Sequence, residues 1–569
     1  MAVLSENAET IARSRYYEDG ENWEKLCIRV AENVSSVEVD KKKWKDAFAN
    51  EIFEMNFIPA GRILRNSGKP QGTVFNCYVI PIGDSRKEIG RFYSDAFVLW
   101  GEGGGIGVNL SSIRPDGDPV KGVGGVASGP VSFLHAADAI AQTVESGGSR
   151  RAAALALLNV THPDIFKFID AKIKDKLLPH FNISVAITDD FLDSVEHKLD
   201  IDLSFAQKVY KKINSSEIWE KIVTNMIDFG EPGLVNWSRF SRNNSYYFAP
   251  VLCCNPCGEA ILGPYQVCDL GSLVLTKFIS GSSTSWKKLE DSIRIAVRFL
   301  DNVTDVNKYV LDEIKTQALN SRRIGLGVMG LAEYLFAKKL RYGSDKAILE
   351  VERLMRFIRD TVYDELINLA CEKGVFPKFD STEYSKASFI RKLPATLRMK
   401  IKEHGVRCTT ALSIAPTGTI SLLADVTSGI EPLFSKAYKR SDRVGERIYI
   451  HPLYKEFLKS DKETEDWFVD VNDLTPVEHF EIQAAIQKYV DGAVSKTINL
   501  PKETSSEELS KWLLEFMHDL KGCTVYRDGS REGQVLNHLT KKDIEKYINE
   551  SEETMSTDDV GCARGVCET

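Results

Sequence analysis

The sequence predicts an α/β fold with parallel strands, and three observations support it. Short β-rich runs at residues 73–80, 183–187 and 409–414 alternate with long amphipathic helical stretches such as 347–372, the pattern produced when helices cover the faces of a parallel sheet. The chain has 569 residues, 43% of them hydrophobic and 27% charged, enough for a large core and more than one ordinary domain. No internal repeat or low-complexity block breaks the alternation.

The elements follow in order. Residues 22–34 and 41–55 place Trp23, Leu26 and Val30, then Trp44, Phe48, Ile52 and Phe53, at helical spacing, so residues 1–55 are expected to be a helical lead-in. Residues 56–540 carry the strand and helix alternation and form the expected main domain. From 541 to 569 the chain turns polar, with almost nothing to bury between 549 and 560, and is expected to be a mobile tail. Cys562 and Cys567 lie near its end. A thiol pair on a flexible tether suits delivery of electrons to a distant site; incidental thiols on a frayed terminus are the plainer alternative.

Composition removes several function classes. The 73 basic and 81 acidic residues give a net charge of −8, which argues against a nucleic-acid-coating surface. No apolar run approaches the roughly 18 residues of a membrane span, and residues 1–11 lack a basic segment followed by an apolar one. A cytoplasmic location is therefore expected, with small molecules and proteins as partners. Eleven cysteines in such a compartment do not imply a disulfide framework, so closely spaced ones point to catalysis, redox chemistry or metal binding.

Four thiols fall within Cys253-Cys254-Asn255-Pro256-Cys257-Gly258-Glu259 and Cys268-Asp269-Leu270-Gly271-Ser272-Leu273. Cys254 and Cys257 have Cys-x-x-Cys spacing, read either as a dithiol or as half of a zinc site. No second such pair completes zinc, so no metal ligands are assigned, and the motif does not follow the first strand of a small βαβ unit as a thioredoxin-like site would. Cys253 and Cys254 can equally be small buried hydrophobes. A third reading joins Asn255, Cys257 and Glu259, which share one side of an extended loop. An S–H bond is close in strength to a sugar C–H bond, so a thiol can exchange hydrogen with a sugar as a radical carrier. A neighbouring carboxylate can take the proton of the adjacent hydroxyl, and an amide can hold that hydroxyl in place.

With these residues in view, Asn255-Pro256-Cys257-Gly258-Glu259 and Cys268-Asp269-Leu270-Gly271-Ser272-Leu273 resemble the finger-loop signature of ribonucleotide reductase large chains. Pro59-Ala60-Gly61-Arg62, Phe75-Asn76-Cys77, Gly103-Gly104-Gly105-Ile106-Gly107-Val108-Asn109 and Ala415-Pro416-Thr417-Gly418-Thr419-Ile420-Ser421 match in the same order, and the likeness covers roughly residues 12 to 569. The resemblance implies a ten-stranded α/β barrel of two antiparallel five-stranded parallel halves, with the finger loop through its centre and Cys257 shielded from water. It implies a thiyl radical at Cys257, Glu259 serving the 3′-hydroxyl, Asn255 and Asn76 on the substrate, and Cys77 with Cys268 as the pair that reduces the ribose and ends as a disulfide. Cys562 and Cys567 would reopen that disulfide with electrons from thioredoxin or a glutaredoxin-like protein.

The glycine-rich run at 101–107 lacks the Gly-x-Gly-x-x-Gly fingerprint and reads as a tight turn with close backbone packing. The 415–421 segment reads as a strand end ahead of a helix N-terminus. Pro416, Thr417, Gly418, Thr419 and Ser421 would there hold substrate phosphates, an ordinary strand-to-helix turn being the alternative. The family also binds a deoxynucleoside triphosphate or ATP as specificity effector at a dimer edge. By position, Asp84 would hold its sugar and Arg114 and Lys121 its phosphates, with residues 171–182 linking the two sites in a homodimer. Only about sixty residues precede Pro59-Ala60-Gly61-Arg62, so the additional N-terminal ATP-binding cone of many relatives is not expected.

The radical source follows from what the sequence contains. Glu515 and His518 make one Glu-x-x-His where a di-metal centre needs two, and they read as part of a surface helix. The terminus Arg564-Gly565-Val566-Cys567 lacks the glycyl-radical pattern, and no adjacent tyrosine pair stands near Tyr526 before the tail. Tyr16-Tyr17 and Tyr246-Tyr247 read as packing residues. The Arg15 to Asp19 opening and the Tyr526 to Arg531 stretch resemble the adenosylcobalamin-dependent, class II branch. The alternative is a class I-type large subunit served by a separate metal-bearing subunit; further off is a dithiol oxidoreductase or nucleotide-binding regulator. Diphosphate substrates are expected from the general run of dimeric relatives, and Cys27, Cys371, Cys408 and Cys523 read as structural.

Overall fold

The computed structural model describes residues 4–120, 124–146, 150–173, 178–442, 445–460, 464–527, 536–539 and 544. Three helices come first: α1 (Glu6–Arg15), α2 (Trp23–Ser35) and α3 (Lys41–Phe53), capped by the side chains of Ser5, Asn22 and Asp40. Each cap accepts a backbone N–H that the helix start would leave unsatisfied. On α2 the residues Trp23, Leu26, Val30 and Val34 form the buried stripe their spacing predicts. Phe299, on the long helix Trp286–Val306, meets Phe48 of α3 edge-on at 5.2 Å and Phe57 at 5.4 Å. The helical lead-in is thereby packed onto the main body.

The main body is mixed α/β around a ten-stranded sheet. Its strands are β1 (Phe57–Pro59), β2 (Cys77–Val79), β3 (Gly105–Asn109), β4 (Ala153–Asn159), β5 (Phe181–Ile187), β6 (Gly233–Asn236), β7 (Gln266–Val274), β8 (Ile324–Met329), β9 (Thr497–Leu500) and β10 (Gly522–Arg527). The run from β2 to β6 is parallel throughout. β10 lies antiparallel to β6 and parallel to β9, while β7 lies antiparallel to β1 and β2 and parallel to β8. All nine residues of β7 are buried, as expected of a strand with neighbours on both edges and packed faces.

Residues 409–414, expected as a strand, form ladder contacts without a continuous strand. Leu326 bridges Leu412, and Ile414 bridges Val494, both in parallel sense, so this segment lies between β8 and the approach to β9. The expected helix at 347–372 is observed as Asp345–Lys373. Two helical expectations are corrected. After Ala415 the chain makes successive turns at 418–425 rather than a helix, and Thr417 and Asp425 have φ of 52° and 50°, conformations that interrupt a right-handed helix. His518 lies beyond the helix Ser506–Phe516 that holds Glu515, so the two share no helical face. No helix among the described residues is long and apolar enough to cross a membrane.

A buried ionic network joins the lead-in to the main body. Arg298 contacts Glu38 at 3.1 Å, and Lys373 reaches the same carboxylate at 2.6 Å. Deeper in, fully buried Asp301 accepts from Arg322 at 2.7 Å and from Arg407 at 3.1 Å. Its carboxyl is held below the usual range because these guanidiniums outweigh the burial that would raise it. Replacing Asp301 with Ala would leave Arg407 without its buried carboxylate and Arg322 with Asp305 alone, so a loss of about 3 kcal/mol is expected. A chemical-denaturation midpoint unchanged from the parent chain would refute that estimate.

Candidate active site

The Asn255-Pro256-Cys257-Gly258-Glu259 motif sits at the tip of a hairpin. Cys253–Cys254 pairs with Ile261–Leu262 in antiparallel register, and Asn255 N–H donates to the Ala260 carbonyl at 3.1 Å. The tip is a turn rather than the extended loop expected from the alternating spacing. Gly258 N–H donates to the Asn255 carbonyl at 3.0 Å, and Gly258 has φ of +83°, a conformation glycine adopts without steric cost. The glycine-rich expectation at 101–107 is met by close packing against this hairpin. A Cβ on Gly107 would lie 1.9 Å from the Cys254 carbonyl oxygen, and one on Gly105 would lie 3.0 Å from the Pro256 ring.

Cys77 and Cys268 are directly opposite each other on β2 and β7. Opposed antiparallel residues have Cα atoms about 4.5–5.5 Å apart, inside the range a disulfide spans. Asn255 joins hairpin to pair: its side-chain amide donates to Cys77 Sγ at 3.2 Å, while its Oδ1 accepts from Ala260 N–H at 2.9 Å. Burial pushes the Cys268 thiol well above its ordinary pKa.

Glu259 is 1% exposed, its backbone carbonyl accepts from Ala493 N–H at 2.8 Å, and its Oε2 has no hydrogen-bond partner among the described residues. Burial pushes its pKa up to about 7, opposed by the hydrogen bond from Asn255. Such a carboxyl changes charge near neutrality, as proton-transfer groups commonly do.

Cys257, Glu259, Cys77 and Asn76 line one cavity of about 550 Å³, together with Pro416, Thr417, Gly418 and Thr419. Asn76 Oδ1 is buried and without a partner among the described residues. Thr417 Oγ1 accepts from Gly429 N–H at 2.7 Å, whereas the amides of Thr417, Gly418 and Thr419 donate to no backbone carbonyl among the described residues. Ser421 is fully buried with its hydroxyl 3.0 Å from that of Ser428 and is absent from the cavity lining. A second cavity of about 250 Å³ shares Cys257 and Pro416 with the first and is bounded by Asn182, Ser184 and Thr524.

Cys257 itself is exposed, against the expectation of a thiol shielded from water, because the hairpin tip projects between the two cavities. Sequence reasoning also passed over Arg15, Tyr16, Arg62 and Arg65, which line the larger cavity. Arg62 donates to the carbonyls of Glu102 and Gly103, binding the Pro59-Ala60-Gly61-Arg62 motif to the glycine-rich run. That motif was one available signal, and the Arg15 to Asp19 opening, likened only to the adenosylcobalamin-dependent branch, was another. Asp84 and Arg114, expected at an effector site, pair with each other at 2.8 Å. Lys121, Cys562 and Cys567 lie outside the described residues.

Comparison with known proteins gives this arrangement its context. The family model described as ribonucleotide reductase, barrel domain, matches residues 75–526, and the one described as ribonucleotide reductase, all-alpha domain, matches residues 2–72. The vitamin B12-dependent ribonucleoside-diphosphate reductase of Mycobacterium tuberculosis is 35% identical over 99% of this chain and 83% of its own length. The vitamin B12-dependent ribonucleoside-diphosphate reductase of Thermoplasma acidophilum is 35% identical over 92% of this chain and 71% of its own. The ribonucleoside-diphosphate reductase subunit alpha of Chlamydia muridarum is 27% identical over 94% of this chain and 56% of its own. With the thiol hairpin, the opposed cysteines and these matches taken together, the chain belongs to the ribonucleotide reductase large-chain family.

Proposed function

We propose that this chain is a cytoplasmic, adenosylcobalamin-dependent ribonucleoside-diphosphate reductase that replaces the 2′-hydroxyl of a ribonucleotide with hydrogen. The observation that carries the reading is the single cavity lined by Cys257, Glu259 and Cys77 beside the 416–419 turn. A nucleotide with its phosphates on that turn meets backbone N–H groups suited to anions, and its ribose then lies toward the hairpin. The Cys257 thiyl takes the 3′-hydrogen, Glu259 takes the 3′-hydroxyl proton, and water leaves from C2′. Asn76 Oδ1 accepts from a ribose hydroxyl. Cys77 and Cys268 supply two electrons and two protons and form a disulfide.

The second cavity fits the nucleoside portion of the cofactor, since it is small, shares Cys257 and offers polar side chains beside apolar ones such as Phe240 and Val235. When bound, adenosylcobalamin supplies the oxidising equivalent that Cys257 requires, and Asn182, Ser184 and Thr524 would hold its nucleoside portion. The substrate covering Cys257 would exclude water from the thiyl. A closed ten-stranded barrel is the architecture we favour: residues 409–414 bridge β8 to the segment before β9, and with β10 antiparallel to β6 and β7 antiparallel to β2 the two parallel runs would complete a ring. In this reading residues 1–55 are the lead-in, 56–540 the barrel and 541–569 a redox tail whose Cys562 and Cys567 pass electrons from thioredoxin or a glutaredoxin-like protein. A homodimer would place Asp84, Arg114 and Lys121 around a deoxynucleoside triphosphate or ATP effector.

The decisive assay measures deoxynucleotide formation with dithiothreitol in the dark, with and without adenosylcobalamin. Product is expected only with the cofactor; product that needs a second protein instead overturns the branch assignment. Cys257→Ala is expected to form no product while keeping the parent circular dichroism spectrum, and residual turnover would remove Cys257 from its role. For Glu259, the carboxylate form predominates above its raised pKa of about 7, so kcat should climb with pH through that value. Glu259→Gln should lose this limb and about 10²–10⁴-fold in rate; a variant with the parent pH profile would count against a proton-transfer role.

A further inference from the structure

Arg323 precedes β8 and is 4% exposed, and its Nε and one terminal nitrogen have no hydrogen-bond partner among the described residues. Its other terminal nitrogen donates to the Ile261 carbonyl of the finger hairpin at 2.5 Å, and the guanidinium lies 5.3 Å from the Tyr246 ring centre. Asp269 pairs with Ile324 in parallel register, so Cys268 and Arg323 occupy the next matched position and their side chains leave the same face of the sheet. Cys268 Sγ comes within 2.9 Å of where a Cβ on Gly325 would stand, on that same face. Cys268 is 1% exposed and Cys77 is 9% exposed; only Cys77 lines the large cavity.

We propose that Arg323 is a positioning residue that gives the Cys77–Cys268 disulfide a direction: an incoming thiolate attacks Cys77, and Cys268 departs as a thiolate into the field of the guanidinium. This rests on the reading of these cysteines as the redox pair. The attacking sulfur forms a bond to Cys77 Sγ while the Cys77–Cys268 bond breaks and its electron pair stays on Cys268. A second thiolate of the reductant then attacks its own sulfur in the mixed disulfide and releases Cys77. The reductant ends as a disulfide, and the two cysteines take up two protons. Thiol–disulfide exchange favours the better-stabilised leaving sulfur and requires access to the other. Burial raises the Cys268 thiol most, the neighbouring Asp269 carboxylate raises it further, and Arg323 is the cation that opposes them, so the departing thiolate depends on it.

The test uses the full chain carrying Cys562→Ser and Cys567→Ser, so that tail thiols cannot intercept. Diamide oxidation should yield a Cys77–Cys268 bridge on peptide mapping. Brief treatment with glutathione, acid quenching and alkylation should then place glutathione on Cys77 and the alkyl label on Cys268. Arg323→Met should slow adduct formation by about ten-fold or more through the poorer leaving group, while Arg323→Lys retains the Cys77 preference. Glutathione mainly on Cys268, or an unchanged rate and site in a folded Arg323→Met, overturns the inference. Failure to form the bridge, seen before glutathione is added, instead removes the redox pair itself.

Discussion

Backbone-to-backbone contact between the 253–262 hairpin and β3 sets the position of Cys257. Any side chain at Gly107 would occupy the space of the Cys254 carbonyl, and on the other flank a Cβ on Gly492 would stand 3.1 Å from the Glu259 carbonyl and 2.5 Å from that of Leu412. The hairpin is gripped between two stretches of main chain that carry nothing there. This fixes its height relative to β2, which lets the Asn255 amide reach Cys77. The placement of Cys257 therefore follows from missing side chains as much as from the residues around it.

The interior treats its charges in two ways. Asp301 is enclosed by Arg322 and Arg407, and Glu38 by Arg298 and Lys373. These groups are compensated and hold helices together. Glu259, Arg323 and Asp269 keep buried polar atoms without partners among the described residues, and Arg298 leaves its Nε in the same state. Leaving such atoms unsatisfied costs stability, and Glu259, Arg323 and Asp269 stand at the cysteines on which the proposed chemistry turns.

Much of this was legible in the sequence where a local rule governs. The stripe on α2 and the helix Asp345–Lys373 follow from periodicity. Cys77 and Cys268 came from the likeness of their flanking motifs, and the register between β2 and β7 makes them opposed. What escaped depended on tertiary context. The turns after Ala415 carry positive φ at Thr417, which apolar spacing does not encode. Asn255, Cys257 and Glu259 were grouped on the premise of an extended loop, whereas a turn through Gly258 carries them, with Cys257 and Glu259 on the cavity and Asn255 turned to Cys77. Arg15 and Tyr16 reach the cavity only because α1 folds back onto Gly61, where a Cβ would lie 3.0 Å from the Tyr16 hydroxyl, and no local pattern reports such a return.

That return has a consequence for biosynthesis. The cavity takes part of its wall from Arg15 and Tyr16 and part from Thr417 to Ile420, so a growing polypeptide emerging from the ribosome carries the first portion long before the last exists. Chain closure over such a span is slow compared with forming helices such as α2 and α3. Helices as short as α2 and α3 draw most of their stability from packing, so until the later segments arrive their apolar stripe lies uncovered, and a nascent chain in that interval is exposed to aggregation.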